Sequence, residues 1–199
     1  NKSNFNEKPR FILIDNIENL NKNSTNALLK IIEEPNHNFF FILIHNNNKK
    51  ILSTLSSRCL TFKINVSFEE TLKISNFILK ENLFNLINID LINYYNTPGD
   101  FINLINFGLE KKIDLKEFNI DKLLFFIINN NYYKKNRLIK EILINYIELY
   151  FLKLYTISST KNEILDFYSN FIKKMNYTNT FNLDEETLFL EFKSKILNG

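Results

Sequence analysis

The sequence of 199 residues is poor in several residue types that would indicate particular kinds of function. Its single cysteine, Cys59, excludes an internal disulfide and a thiolate zinc cluster. It has three glycines, none before Gly99, and no G-x-x-x-x-G-K-[ST] motif, so no loop of this chain is predicted to cradle phosphates. It also lacks an apolar run of membrane-spanning length and a signal-like N-terminal segment, which favours a cytoplasmic protein with no membrane partner.

The charge and the composition are informative mainly through their rare residues. The net charge of +3 is too small to indicate a nucleic-acid-binding protein, and the 45% of hydrophobic residues suffice for real cores. Asparagine is abundant, whereas Ala27 and Val66 are the only residues of their types, and three of the 25 basic residues are arginines. At positions where this chain has one of its rare residue types, we expect that a specific side chain is needed.

The first 65 residues have the pattern of an α/β sheet domain. The apolar segments RFILID (10–15) and FFFILI (39–44) are predicted to be buried strands. Between them, NSTNALLKIIEEP (23–35) predicts a helix capped by Asn23 or Ser24 and ended by a proline. Strand, helix and strand with short links indicate a right-handed crossover in a parallel sheet.

Two further elements are predicted before the pattern changes. The segment 46–57 is read as a loop with a short helix, and CLTFKI (59–64) is read as a third strand. After residue 65, helical periodicity alone is visible.

The helical part begins with a capping box, Ser67 followed by Glu70, which predicts a helix to about residue 80. A second helix is predicted over roughly 83–95. A third is expected to start at Pro98 and to end at Gly108. After a polar connection at 111–119, the remainder to residue 197 is read as four or five amphipathic helices.

Individual residues, taken alone, allow only weak functional readings. Asp15 at the end of a strand fits a magnesium-binding carboxylate, or simply a turn or helix-cap residue. The following Asn16 cannot act as a base, so hydrolysis at such a site is not expected. Arg58 suits recognition of a phosphate on a neighbouring molecule, or else a surface or salt-bridging role. Cys59 without a nearby base is read as a small buried hydrophobe.

Several segments together carry a resemblance to a known family. NALLKIIEEP (26–35) resembles the N-A-L-L-K-x-L-E-E-P signature of bacterial clamp-loader subunits, a branch of the AAA+ family. FILIHNNNKKILSTLSSRC (41–59) resembles that family's next strand, sensor-1 loop and Ser-Arg-Cys motif. FILIDNIENL (11–20) is similar to the Walker B strand, and TPGD (97–100) to the start of the sensor-2 helix.

The resemblance implies a degenerate nucleotide site. Asp15 takes the place of the Walker B aspartate, Asn16 that of the family's catalytic glutamate, and Asn46 the sensor-1 position. Asp100 stands where the motor subunits have the sensor-2 arginine, and a carboxylate there would repel a phosphate. These departures resemble the non-hydrolysing delta-prime group of the family.

The resemblance further implies that Ser57, Arg58 and Cys59 form an arginine-finger motif that acts in trans. Arg58 would reach ATP and Mg²⁺ held by the neighbouring ATPase subunit, while Ser57 and Cys59 support the motif. Cys59 and Leu60 are expected to anchor the following strand in the core. No metal is expected in this chain, and the family's P-loop strand and Cys-rich zinc module would lie upstream of Asn1, so that the chain is an N-terminally truncated piece.

The expected fold class is therefore α/β plus all-α. Residues 1–65 would be the C-terminal part of a RecA-like AAA+ parallel sheet domain, 66–110 a helical lid and 111–199 a helical collar. The implied partners are the ATPase subunits gamma/tau and the delta subunit of the DNA polymerase III loader, and through the complex the sliding clamp and primer–template DNA. The chain itself is not expected to be catalytic alone.

Two alternatives stay open. One is a divergent motor subunit of gamma/tau type whose P-loop lies upstream, which Asn16 and Asp100 disfavour. The other is a helical interaction module unrelated to replication.

Overall fold

The computed structural model describes residues 8–35, 37–46, 50–181 and 184–194. The chain divides into two compact units, residues 1–65 and 66–199, and each is described by itself. The first contains parallel strands and helices, and the second is helical.

The first unit is built on a strand–helix–strand unit, as predicted. Strand β1 (Arg10–Ile14) and strand β2 (Phe39–Leu43) pair in parallel, in register from Arg10 opposite Phe39 onward. Helix α1 (Lys22–Glu33) connects them and crosses over. Its cap is Asn21, whose side chain accepts the Ser24 backbone N–H at 2.8 Å, so the predicted caps were wrong by two or three residues.

The small core of this unit lies on one face of the sheet. Ile17, Leu28 and Leu55 are buried, and Leu55 belongs to the predicted short helix, α2 (Ser53–Ser56). Residues 47–49 of the predicted loop lie outside the described residues. Phe11 and Phe40 stack on the other face with ring centroids 5.3 Å apart, and both remain exposed.

The predicted third strand, 59–64, was wrong: in the described chain this segment has no strand structure. Leu60, Phe62 and Ile64 are 88%, 81% and 85% exposed, so Leu60 does not anchor anything in the core. Alternating apolar residues make a strand only when a neighbouring backbone accepts their hydrogen bonds, and the two described strands of this unit pair with each other.

The second unit begins with the predicted helix α3 (Phe68–Leu79). The capping box is present: Ser67 Oγ accepts the Glu70 N–H at 3.2 Å, and Glu70 Oε2 accepts the Ser67 N–H at 2.9 Å. The predicted helix over 83–95 was wrong. It is replaced by α4 (Leu83–Leu86) and a 3₁₀ turn (Ile89–Leu91).

Two asparagines explain the interruption of that segment. The side chains of Asn82 and Asn88 accept backbone N–H groups two residues ahead, from Phe84 and Asp90. Asparagine competes with helix propagation in this way, so each one starts a new short element.

Helix α5 (Pro98–Lys111) starts at the predicted proline but runs past its predicted end. Gly108 lies inside it. A Cβ at this position would lie 2.7 Å from Leu115 Cδ1, so the glycine serves close packing rather than termination. The helix instead ends at Lys112, whose φ is 55°.

Four helices follow in the described residues to 194, within the predicted number. They are α6 (Ile120–Asn129), α7 (Arg137–Ile157), α8 (Lys161–Phe181) and α9 (Glu186–Phe192). One buried cluster extends from Leu83 in α4 to Phe192 in α9. The lid–collar division at 110/111 stays a prediction, because the residues on both sides of it share this core.

Candidate functional site

The Ser-Arg-Cys segment lies directly after α2, where the chain turns out of the helix. The Arg58 N–H bonds to the Leu55 carbonyl at 3.1 Å and the Cys59 N–H to the Ser56 carbonyl at 3.3 Å, which fixes the turn. Cys59, which was predicted to be buried, is half-buried against the core of the first unit. Ser57 and Arg58 are exposed.

Two contacts hold the Arg58 guanidinium. Nη1 donates to the Thr54 carbonyl at 2.8 Å, and Nη2 forms an ion pair with Glu33 Oε1 at 2.6 Å. Ser57 Oγ donates to the same Thr54 carbonyl at 3.1 Å. The Arg58 side chain keeps 39% of its surface exposed, so it is oriented by its own unit and still accessible to a ligand.

Sequence reasoning missed Glu33 as the partner of Arg58. The residue lies within the quoted segment NALLKIIEEP, as the last residue of α1. An acidic pair before a proline was the available signal. The sequence did not indicate that α2 would bring Arg58 to the C-terminal end of α1, because the conformation of the loop from β2 to α2 could not be predicted from its residues.

The strand ends bring together two of the predicted nucleotide-site residues. The Ile44 N–H bonds to the Ile14 carbonyl at 2.9 Å and the Ile17 N–H to the Ile44 carbonyl at 3.1 Å. This pairing places Asn46 beside Asn16, and Asn46 Nδ2 donates to Asn16 Oδ1 at 2.6 Å. The residue predicted at the sensor-1 position is thereby bonded to the residue predicted in place of the catalytic glutamate.

Asp15 is exposed at the same edge, and its Oδ1 accepts the Asn16 backbone N–H at 2.8 Å. Asn16 has a φ of 52°, a left-handed conformation that asparagine tolerates better than most residues. Both side-chain contacts described above for Arg58 run to α1 and α2 rather than to this edge.

Asp100 lies in the second unit and has a local structural role. Its Oδ2 accepts both the backbone N–H and the hydroxyl of Thr97, each at 2.8 Å, in the capping box of α5. The carboxylate of Asp100, which was predicted at the sensor-2 position, therefore stabilises the start of its own helix.

The described residues contain no cluster of three or more His, Cys, Asp or Glu side chains suited to a metal ion. The second unit has a cavity of about 390 Å³ that touches none of the predicted site residues. Its lining includes Phe151, Phe167, Phe171 and Phe192. Within the described part of the chain, no helix is both long and apolar enough to span a bilayer.

The fold and the site thus define a protein with a small parallel α/β unit that presents an arginine, followed by a helical unit. Residues 1–67 match the family described as "DNA polymerase III, delta subunit". The chain is 40% identical over 121 residues to "DNA polymerase III subunit gamma" of Buchnera aphidicola subsp. Schizaphis graminum, a match that covers 57% of this chain and 32% of that protein.

A second relative is the subunit of the same name from Buchnera aphidicola subsp. Acyrthosiphon pisum, 39% identical over 80 residues, or 38% of this chain and 22% of that protein. The chain thus spans about a third or less of the curated relatives it matches. These similarities support the clamp-loader family of DNA polymerase III subunits, and they do not separate the delta-prime type from the gamma type.

Proposed function

We propose that this chain is part of a delta-prime-type subunit of the DNA polymerase III clamp loader. In this role it hydrolyses no ATP itself, and Arg58 acts as an arginine finger on the ATP and Mg²⁺ held by a neighbouring gamma/tau subunit. The observation that carries the proposal is the presentation of Arg58, which is bonded to the Thr54 main-chain carbonyl, ion-paired with Glu33, and still 39% exposed in its side chain.

The chemistry follows from the guanidinium. Arginine is always charged and has five N–H donors in a planar fork, so it matches the oxygens of a phosphoryl group. Charge that develops on those oxygens during transfer is stabilised without any proton movement from the arginine. In other phosphoryl-transfer systems such a finger raises the rate by about 10³–10⁵-fold.

The residues of this chain do not fit a hydrolytic site of their own. Asn16 has an amide in place of a carboxylate and cannot take a proton from water. Its oxygen is already bonded to Asn46, and Asp100 is bonded to Thr97 in the capping box. We therefore assign no step of hydrolysis to Asp15, Asn46 or Asp100.

The proposed partners are the gamma/tau and delta subunits, with the sliding clamp and primer–template DNA reached through the assembled complex. A cytoplasmic location is part of the same proposal. Apolar side chains that stay exposed on the second unit, among them Phe77 and Ile157, are available for burial against such subunits.

A motor subunit of gamma/tau type is the second candidate. The names of both curated relatives favour it. An intact G-K-[ST] loop upstream and ATP hydrolysis by the isolated full-length protein would establish it in place of the first candidate.

The decisive experiment compares Arg58→Ala with Arg137→Ala in the full-length protein, reconstituted with the other loader subunits. Arg137 is a suitable control because its side chain is 85% exposed and forms one surface ion pair, with Glu141. We expect Arg58→Ala to leave assembly intact and to lower DNA-stimulated ATP turnover at least 100-fold, in keeping with the finger effect. Unchanged turnover in a fully assembled complex would refute the finger role.

A further inference from the structure

The ion pair between Arg58 and Glu33 has a bearing on how strongly Arg58 binds a phosphate. Glu33 Oε1 lies 2.6 Å from Arg58 Nη2, and the side chains are 47% and 39% exposed, respectively. The two residues come from different elements, the end of α1 and the turn after α2. The contact is therefore tertiary and close to solvent.

The position of Glu33 is unusual for a purely stabilising residue. It is the last residue of α1, where the helix carries partial negative charge on its carbonyl groups. A carboxylate there is disfavoured by the helix itself. The positive charge of Arg58 offsets this repulsion and stabilises the Glu33 carboxylate.

A phosphate and Glu33 would compete for one edge of the guanidinium. Thr54 holds Nη1 through its carbonyl, which is neutral and compatible with a bound anion. Glu33 is an anion on Nη2, and a phosphoryl oxygen brought to the same edge would face a like charge at close range. Phosphate binding at this edge therefore requires that Glu33 withdraw.

We infer that Glu33 is an intramolecular counterion that competes with the phosphate for Arg58 and so lowers the affinity of this site for nucleotide. The inference rests on the proposed function of Arg58. Surface ion pairs are weak, so the competition is worth up to about fivefold in affinity and is readily overcome by a multiply charged phosphate. Glu33 would thus keep Arg58 oriented between turnovers without blocking it.

The test uses Glu33→Gln, with Glu34→Gln as the matched control. Both substitutions remove one negative charge at the end of α1, and Glu34 is exposed with no ion pair among those of the described residues. Glutamine retains the length and the helix propensity of glutamate. Both variants are therefore expected to fold, which thermal unfolding checks.

The readout is the ATP concentration that half-saturates the DNA-stimulated ATPase of the reconstituted loader, at low and at high salt. We expect Glu33→Gln to lower this concentration about 2–5-fold at low salt, with kcat retained, and Glu34→Gln to leave it unchanged. The difference between the two variants should shrink at about 0.5 M salt, where exposed charges are screened. If Glu33 had only a structural role, its substitution would not lower the half-saturating ATP concentration.

An unchanged or higher half-saturating concentration in Glu33→Gln, or an equal drop in Glu34→Gln, overturns the inference. Arg58→Ala separates this failure from failure of the proposed function. If Arg58→Ala lowers turnover and Glu33→Gln has no effect, the competition is refuted and the finger stands. If Arg58→Ala has no effect on turnover, the proposed function fails and the inference fails with it.

Discussion

Helix α5 packs closely against the segment that follows it, and this packing allows a quantitative prediction of how a substitution at Gly108 changes stability. An added Cβ would lie 2.7 Å from Leu115 Cδ1 and 2.9 Å from Leu115 Cγ, well inside the usual separation of about 3.5–4.0 Å. Leu115 is buried, and its backbone carbonyl accepts the Asn88 N–H at 3.1 Å. The leucine is therefore held from both sides and cannot move away freely.

The expected magnitude is a balance of two effects. Forcing a methyl group into a packed site costs about 1–3 kcal/mol, and replacing glycine by alanine within a helix returns about 1 kcal/mol. Gly108→Ala should therefore lower the free energy of unfolding by about 0–2 kcal/mol. Leu115→Ala alone should lower it by about 2–5 kcal/mol, because it leaves a cavity.

A sharper test is the sign of the change in unfolding free energy that Gly108→Ala causes in the Leu115→Ala background. Once Leu115 is truncated, the Cβ at position 108 has room, and Gly108→Ala should stabilise that background by about 1 kcal/mol. Gly99→Ala is the control within the same helix, because its Cβ would meet Thr97 Oγ1 at an ordinary 3.6 Å. Urea unfolding followed by circular dichroism measures all four variants. If Gly108→Ala stabilises the wild-type background as Gly99→Ala does, the close contact with Leu115 is wrong.

Two further predictions concern the second unit. Asp100→Ala removes the acceptor of the α5 capping box and should cost about 0.3–1.5 kcal/mol in urea unfolding, with ATP turnover of the assembled loader unchanged; a loss of turnover with intact stability would instead assign Asp100 to a nucleotide site. Tyr146→Phe removes the buried hydroxyl that donates to the Leu91 carbonyl at 2.7 Å, and should cost about 1–3 kcal/mol near pH 7. Burial raises the pKa of Tyr146 above its ordinary value of 10.0, so the wild type should lose stability as the pH rises above about 10. The difference in free energy of unfolding between the wild type and Tyr146→Phe should then become smaller. A difference that stays constant up to about pH 12 would contradict the burial of the Tyr146 hydroxyl.

The elements predicted correctly from sequence are those with local causes. β1 and β2 are short apolar runs flanked by polar residues, and a helix between two such strands makes the parallel pairing almost obligatory. The capping box at Ser67 and the start of α5 at Pro98 depend on residues within one helical turn. The motif around Arg58 was also recognisable, because it contains the single cysteine and one of the three arginines of the chain.

The wrong predictions depended on contacts distant in sequence. CLTFKI has a strand pattern, but a strand forms only against a partner backbone, and the described part of the first unit provides none for it. Gly108 has the sequence signature of a helix end, and only the approach of Leu115 explains a glycine inside α5. Arg58 and Asn46 were singled out from the sequence as candidates, whereas Glu33 and the contacts of both residues were not predicted.

By itself, the sequence determined the two strands, the helix between them, the starts of α3 and α5 and the identity of the candidate arginine. The strands and the helix starts depend on residues within a few positions, and the connecting helix then makes the strand pairing parallel. The tertiary structure alone decided that Arg58 meets Glu33, that Asn46 bonds to Asn16 and that Asp100 caps its own helix. The first two contacts join segments 25 and 30 residues apart, so they depend on the path of the intervening chain. The third is local, but the sequence analysis assigned Asp100 only to the sensor-2 position, and the hydrogen bonds of the folded helix show its structural role.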